Sequence, residues 1–171
     1  IDATDSGNDP PSVANETFSL DENSPVETPV GTVRASDPEG QPLSFSLDDD
    51  SVFEINDQGE ITVVDETVLD FETNPSFTLN VTVDDGERSS TGEVIIELND
   101  VNESPRFTEE SFTFNVDENA TETVVGTLTA TDPDEGELLS YSLGEDSANL
   151  PFTVNEEGEI EVGEGEELDF E

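Results

Sequence analysis

One ordered set of short motifs occurs twice in this chain, and this repeat restricts the possible folds more than any other feature. Phe18-Ser19-Leu20-Asp21-Glu22-Asn23 recurs 96 residues later as Phe114-Asn115-Val116-Asp117-Glu118-Asn119. Further motifs, which begin at Val30, Leu43, Gly59 and Leu69, recur in the same order at offsets of 95 to 99 residues. So many ordered matches predict a duplicated domain.

Within the first copy, apolar residues alternate with polar ones in seven short runs. The runs contain Phe18/Leu20, Val30/Val33, Leu43/Phe45/Leu47, Phe53/Ile55, Ile61/Val63, Phe77/Leu79/Val81/Val83 and Val94/Ile96/Leu98. This alternation is typical of half-buried strands, and residues 37–40, 57–59 and 84–86 between them have turn sequences that end in Gly. The pattern predicts an all-β fold of tandem seven-stranded Greek-key sandwiches of the immunoglobulin-like type.

The second copy reaches only the motif Leu168-Asp169-Phe170-Glu171, after which the first copy still has its sixth and seventh strands. We therefore predict a linker tail over residues 1–12, one domain over 13–103 and a second domain over 104–171. The second sandwich is predicted to be truncated after its fifth strand. A sandwich without its last two strands has an open sheet edge, so it should be unstable unless another chain completes it.

The charge of the chain excludes several classes of partner. There are 46 acidic and three basic residues, which gives a formal net charge of −43. Phosphate backbones and anionic membrane surfaces repel such a protein, so neither nucleic acid nor direct membrane contact is expected. The chain has no histidine, cysteine or lysine with which to build a nucleophile–base pair or an imidazole metal site, so it is not expected to be an enzyme.

Three acidic groups are expected to converge at one end of the first domain, because the loops at a sandwich end gather distant parts of the sequence. They are Asp21-Glu22-Asn23 after the first strand, Asp70-Phe71-Glu72 before the sixth, and the segment 100–105, which begins with Asp100. The second domain adds Asp132-Pro133-Asp134. Calcium takes ~6–8 oxygen ligands at ~2.3–2.6 Å, several of them charged, so it requires this kind of convergence.

These motifs resemble those of the cadherin repeat superfamily over essentially the whole chain. Members carry Glu-Asn near the end of strand A, Asp-Arg-Glu before strand F, an Asp-x-Asn-Asp-Asn-x-Pro linker and an Asp-x-Asp in the following domain. The shorter linker here is similar to that of bacterial and other non-classical cadherin-like repeats. By this resemblance, up to three calcium ions lie between the domains, and their ligands are Glu22, Asp70, Glu72, Asp100, Asn102, Glu103, Asp132 and Asp134.

The resemblance also implies a weaker amino-terminal half-site that faces a preceding domain. Its residues are Asn8, Asp37, Glu39 and Asp85. Phe71 and Phe170 hold the same position of the two repeats and are expected to pack beneath their own loops.

The function that this reading favours is cell adhesion, or a calcium-rigidified spacer, in an extracellular or cell-surface protein. Its expected partners are neighbouring repeats of the same chain and either a second copy or another surface protein. An alternative is a polysaccharide-binding module of a secreted protein, although the chain has no Trp and only one Tyr, Tyr141, for sugar stacking. The remaining acidity suggests adaptation to high salt, which screens charges over ~3 Å at molar strength.

Overall fold

The computed structural model describes residues 7–121, 123–134, 136–145, 150–163 and 168. The chain divides into two compact units, Ile1–Val101 and Asn102–Glu171. The described residues of both units lie mainly in strands, turns and irregular segments. No helix in the described ranges has the length and hydropathy needed to cross a membrane.

The strands of the first unit follow the predicted alternation. They are β1 (Ser12–Val13), β2 (Glu16–Asp21), β3 (Pro29–Thr32), β4 (Ala35–Ser36), β5 (Ser44–Leu47), β6 (Phe53–Ile55), β7 (Glu60–Val63), β8 (Ser76–Asp84) and β9 (Ser89–Asn99). All seven predicted runs lie in or beside strands. Two-residue strands β1 and β4, which pair with each other, are additions that alternation over so few residues does not signal.

Two sheets form the sandwich of the first unit. One has the order β2-β9-β8-β5 and the other β3-β7-β6. The pair β2–β9 is parallel and joins Glu16–Asp21 to Val94–Asn99, whereas the other pairs are antiparallel. The parallel pair places the end of β2 beside the end of β9, which brings residues 22 and 100 to the same end of the sandwich.

The core lies between these sheets and consists of the inward side chains of the alternating runs. Phe53, Ile61, Val81, Val83, Val94 and Ile96 are fully buried. The ring of Phe77 packs edge-on against that of Phe53, with 5.3 Å between ring centroids. Since each such side chain contributes ~1.5–3 kcal/mol by burial, this core can stabilise the unit without disulfides.

A glycine packed against an aromatic ring occurs at the same place in both repeats. A Cβ added at Gly31 would lie 2.4 Å from the ring of Phe18, and one at Gly126 would lie 2.2 Å from the ring of Phe114. The duplicated Val-Gly-Thr motif therefore has a steric cause: only glycine leaves room for the ring.

The second unit has five strands among its described residues. They are β10 (Arg106–Phe107), β11 (Val124–Thr127), β12 (Ala130–Thr131), β13 (Phe152–Val154) and β14 (Glu159–Val162). β11, β14 and β13 form a sheet that corresponds to β3-β7-β6, and β10 pairs with β12 as β1 does with β4.

Two segments of the second unit do not form the strands that their sequences predict. Residues 112–116 and 139–143 match β2 and β5, yet neither segment is in a strand. In the first unit β2 pairs with β9 and β5 with β8, and the second copy has no counterpart of β8 or β9 within the 171 residues. An extended segment without a partner strand does not form the ladder of hydrogen bonds that defines a strand.

Core positions of the second unit are accordingly less buried. Phe53 is fully buried, whereas its counterpart Phe152 is half-buried. Leu168 is buried, and Asp169, Phe170 and Glu171, which complete the predicted motif, lie outside the described residues.

Candidate metal centre

Glu22 follows the last residue of β2 and is buried, with 2% of its surface exposed. Its Oε2 accepts a hydrogen bond from the backbone N–H of Phe71 at 2.7 Å, and its Oε1 accepts one from Val101 at 2.8 Å. Burying a carboxylate is costly unless it is hydrogen-bonded, and these two donors compensate for part of that cost. Glu22 thus joins the end of β2 to two other segments.

The backbone conformation of residue 23 explains why Asn follows Glu in the duplicated Glu-Asn motif. Its φ is +56°, in the left-handed region that Asn tolerates better than most residues. In this conformation its N–H donates to the carbonyl of Leu69 at 2.9 Å. Asn119 repeats the arrangement, with φ of +57° and an N–H donated to Leu168 at 2.8 Å.

The loop before β8 supplies Asp70 and Glu72. Leu69 is buried and Phe71 packs against the core, as expected, so the residues on either side of Phe71 are exposed. Asp70 Oδ1 accepts the N–H of Thr73 at 2.9 Å, so one of its oxygens stabilises the turn of its own loop.

Glu22, Glu72 and Asp100 form what we call the exit pole of the first unit. A carboxylate oxygen of Glu72 lies within 4.8 Å of one from Glu22, and also within 4.8 Å of one from Asp100. Two oxygens bound to one calcium ion at ~2.3–2.6 Å lie at most about 5 Å apart. Each of these two carboxylate pairs, Glu22 with Glu72 and Glu72 with Asp100, therefore fits a calcium ion in donor type and spacing.

Predicted residues of the second unit also contact one another. Asp134 Oδ2 accepts the N–H of Glu103 at 2.7 Å, and the N–H of Asp134 donates to Asp132 Oδ1 at 3.1 Å. The side-chain amide of Asn102 donates to the carbonyl of Glu103 at 2.8 Å. The linker sequence is thus held against the Asp-Pro-Asp loop that follows it.

The four residues of the amino-terminal half-site, which we call the entry pole, converge in the first unit. Asn8 Nδ2 donates to Asp85 Oδ2 at 2.9 Å, and the N–H of Asp9 donates to Glu39 Oε2 at 3.2 Å. Asp37 Oδ1 accepts the N–H of Glu39 at 3.0 Å, while Asp37 Oδ2 is buried and has no hydrogen-bond partner among the described residues.

Asp85 is the second buried acid of the first unit, with 6% of its surface exposed. Burial alone would raise the pKa of this carboxyl. Hydrogen bonds from the N–H groups of Arg88 and Glu87, and from the Asn8 amide, outweigh that effect and lower the pKa below its usual value. Asp85 therefore remains a carboxylate in its buried position.

Sequence reasoning missed three features of these sites. The left-handed φ of Asn23 could have been inferred from its repetition at Asn119. The backbone donors Phe71 and Val101 had no signal, because any residue except proline supplies an N–H. Gln41, whose side chain donates to Asn8 Oδ1 in the entry pole, also had none.

A cadherin domain model matches residues 16–99. The chain belongs to the cadherin repeat superfamily. Among curated relatives, human cadherin-related family member 1 is 32% identical over 162 residues, which is 90% of this chain and 19% of that protein. The chain thus spans about a fifth of that relative's length.

Solved cadherin structures share the fold. The crystal structure of human protocadherin-24 EC1-2, form II, aligns with a TM-score of 0.70 at 22% identity and covers 91% of this chain and 80% of that one. Mouse cadherin-23 EC22-24 aligns with a TM-score of 0.64 at 28% identity, and the alignment covers 92% of this chain and 54% of that one. This cadherin-like chain is, by its family, extracellular or on the cell surface.

Proposed function

We propose that this chain is a calcium-binding segment of a surface protein, in which cadherin-like repeats over residues 13–103 and 104–171 act in adhesion or as a stiff spacer. The observation that carries the proposal is the exit pole, where carboxylates from three distant parts of the sequence lie within 4.8 Å of a neighbouring one. Cadherin domains generally bind Ca²⁺ at the linkers between domains, and these residues lie in the acidic motifs that carry the resemblance to that superfamily.

The proposed ligands come from both compact units of the chain. Glu22, Asp70, Glu72 and Asp100 belong to the first unit, and Asn102, Glu103, Asp132 and Asp134 to the second. When bound, calcium supplies positive charge that offsets repulsion between neighbouring carboxylates. Asn8, Asp37, Glu39 and Asp85 form a second, weaker half-site, since a preceding repeat would have to supply its remaining ligands.

If calcium binds the ordered conformation of the linker and not the disordered one, it stabilises the ordered conformation. At a calcium concentration of about a hundred times Kd, the stabilisation is about 2.7 kcal/mol. Calcium then stiffens the part of the linker that is still flexible without it. The partners that this geometry serves are the neighbouring repeats and, in adhesion, a second copy of the protein or another surface protein.

The charge of −43 agrees with this role, because it disfavours nucleic acid and direct membrane contact. Neither the family match nor any described site supports the polysaccharide alternative. The ring of Tyr141 is half-buried and would lie 3.0 Å from a Cβ at Gly158, so it is a packing residue and not a sugar-stacking platform.

The test is a calcium titration by isothermal calorimetry, with small-angle scattering of the same samples. We expect saturable binding, and a loss of at least about tenfold in affinity for Glu72→Ala, which removes a charged ligand. Glu109→Ala, at an exposed acid outside the motifs, is the control. Equal affinity in both variants, or no binding by the parent chain, would contradict the proposal.

A further inference from the structure

The linker residues nearest the proposed calcium ligands are held by carboxylates through their backbone N–H groups. Val101 follows Asp100 and donates to Glu22 Oε1 at 2.8 Å. Phe71 precedes Glu72 and donates to Glu22 Oε2 at 2.7 Å. One buried carboxylate therefore fixes the backbone beside the two other acids of the exit pole.

Glu22 is itself fixed on both sides. Its own N–H donates to the carbonyl of Asn99 at 3.1 Å, and the N–H of the following Asn23 donates to Leu69 at 2.9 Å. With its own N–H and that of Asn23 bonded and only 2% of its surface exposed, the Glu22 side chain has little freedom to leave its two donors. Its place is set by the fold, and the bonds to Phe71 and Val101 follow from it.

The second unit uses the same device. Asp134 Oδ2 accepts the N–H of Glu103 at 2.7 Å, and Asp134 is itself tied to Asp132 Oδ1 through its own N–H. The entry pole of the first unit repeats this contact, since Glu39 Oε2 accepts the N–H of Asp9 and the N–H of Glu39 donates to Asp37 Oδ1. Asp9 and Glu103 each follow the Asn of their linker, so the contact belongs to the repeat and not to one loop.

We propose that Glu22 and Asp134 are positioning residues that order the backbone of the linker before any cation binds, Glu22 at Val101 and Asp134 at Glu103. A hydrogen bond to a charged acceptor is roughly twice as strong as a neutral one. In the cation-free protein these bonds limit the backbone conformations around Asp100 and Glu103. Less ordering then remains to be done when calcium binds, which raises the affinity of the preorganised site.

This inference rests on the proposed calcium function but is tested without calcium. Amide hydrogen exchange, followed by NMR in EDTA, reports on each donor separately. In the parent chain the amides of Val101 and Glu103 should both be protected. A charge-assisted hydrogen bond predicts slowing of about tenfold or more relative to an open amide.

The two variants serve as controls for each other. Glu22→Gln keeps the size of the side chain but replaces one acceptor oxygen with a donor, so exchange at Phe71 or Val101 should speed up about tenfold or more while Glu103 is unchanged. Asp134→Asn should speed exchange at Glu103 and leave Val101 unchanged. Glu118→Gln, at the exposed position of the second repeat that matches Glu22, should change neither.

A direct readout on the parent chain keeps the proposal testable if Glu22→Gln does not fold. The coupling across the hydrogen bond, between the amide nitrogen of Val101 and the carboxylate carbon of Glu22, should be detectable in EDTA. Unprotected amides at Val101 and Glu103, or no such coupling, would overturn the inference even if calcium binds. Protected amides in a chain that does not bind calcium would instead overturn the proposed function alone.

Discussion

At the scale of single residues, each repeated motif depends on a side chain with a specific physical task. Gly31 makes room for the ring of Phe18, and Asn23 adopts the left-handed conformation that turns the chain after β2. Glu22 accepts two backbone N–H groups from other segments. Local geometry determines the type of each of these residues. The same residue types therefore recur at the equivalent positions near residue 120.

Gly31→Ala should destabilise the first unit by ~1–3 kcal/mol, because its Cβ would lie 2.4 Å from the ring of Phe18. Chemical denaturation measures the change. In a variant that also carries Phe18→Leu, the smaller side chain should relieve the clash, so the double variant should lose less than the sum of the single changes. Additive losses would show that the ring does not restrict residue 31.

Asp48 is expected to contribute to the pH dependence of stability. Its pKa is lowered first by a hydrogen bond from the side-chain amide of Asn80, at 2.7 Å, and then by the Asn80 backbone N–H, at 2.9 Å. A carboxyl with a lowered folded pKa stabilises the protein above its unfolded pKa of ~3.9, and this contribution is lost as the pH falls through the lower folded value.

Asp48→Asn should therefore reduce stability at pH 6 and flatten its fall between about pH 4 and the acid limit, as measured by denaturation at several pH values. Asp50→Asn changes an exposed neighbour for which the structure gives no hydrogen bond, and it should leave the profile as it is. Identical profiles for the parent chain and Asp48→Asn would refute the assignment.

At the scale of elements, alternation was sufficient to predict the seven strands of the two larger sheets in the first unit, but it predicted strands in the second unit that do not form. Leu43-Ser44-Phe45-Ser46-Leu47 contains β5, whereas Leu139-Ser140-Tyr141-Ser142-Leu143 is outside any strand. The pattern is the same in both segments. What differs is the neighbour. β5 pairs with β8, which has no counterpart among residues 104–171, and a period-2 pattern carries no information about partners.

The site was predictable to a similar degree. The spacing of carboxylates in the sequence identified Glu22, Glu72 and Asp100, which the structure brings together. It could not separate acids that lie together from those, such as Asp70, that hold their own turn. The backbone donors Phe71 and Val101 could not be predicted, because every residue except proline has an N–H group.

Hydrogen exchange should show the difference between the elements. The amides of β2 are paired with β9, whereas residues 112–116, their sequence counterpart, are in no strand. Mass spectrometry of peptic fragments from this 171-residue chain should find exchange at least about tenfold faster in 112–116 than in 16–20. Similar protection in both segments would mean that 112–116 has a partner.

At the scale of the whole molecule, the net charge of −43 in 171 residues is the dominant property. Self-repulsion at this charge destabilises the compact state. Salt should therefore stabilise the chain in EDTA, because the screening length falls from ~10 Å at 0.1 M to ~3 Å at 1 M. We expect Tm to rise between these salt concentrations, as followed by circular dichroism.

The control for this expectation is neutral sucrose at matched osmolality, which does not screen charge. A chain that unfolds cooperatively, with an unchanged Tm, at low ionic strength in EDTA would exclude adaptation to high salt. Tm could instead rise with salt and show no further rise when saturating calcium is added. That result would mean that screening of the acidic surface stabilises the chain and that the exit pole does not contribute.

The parallel pairing of β2 with β9 also determines how the first unit carries force. Because β2 comes near the start of this unit and β9 near its end, tension applied to the chain on either side pulls the two strands in opposite directions along their length. The hydrogen bonds that join Glu16–Asp21 to Val94–Asn99 are then loaded together in shear and not opened one after another. Forced unfolding is governed by the unfolding rate, so we expect this strand pair to limit the tension that the unit withstands.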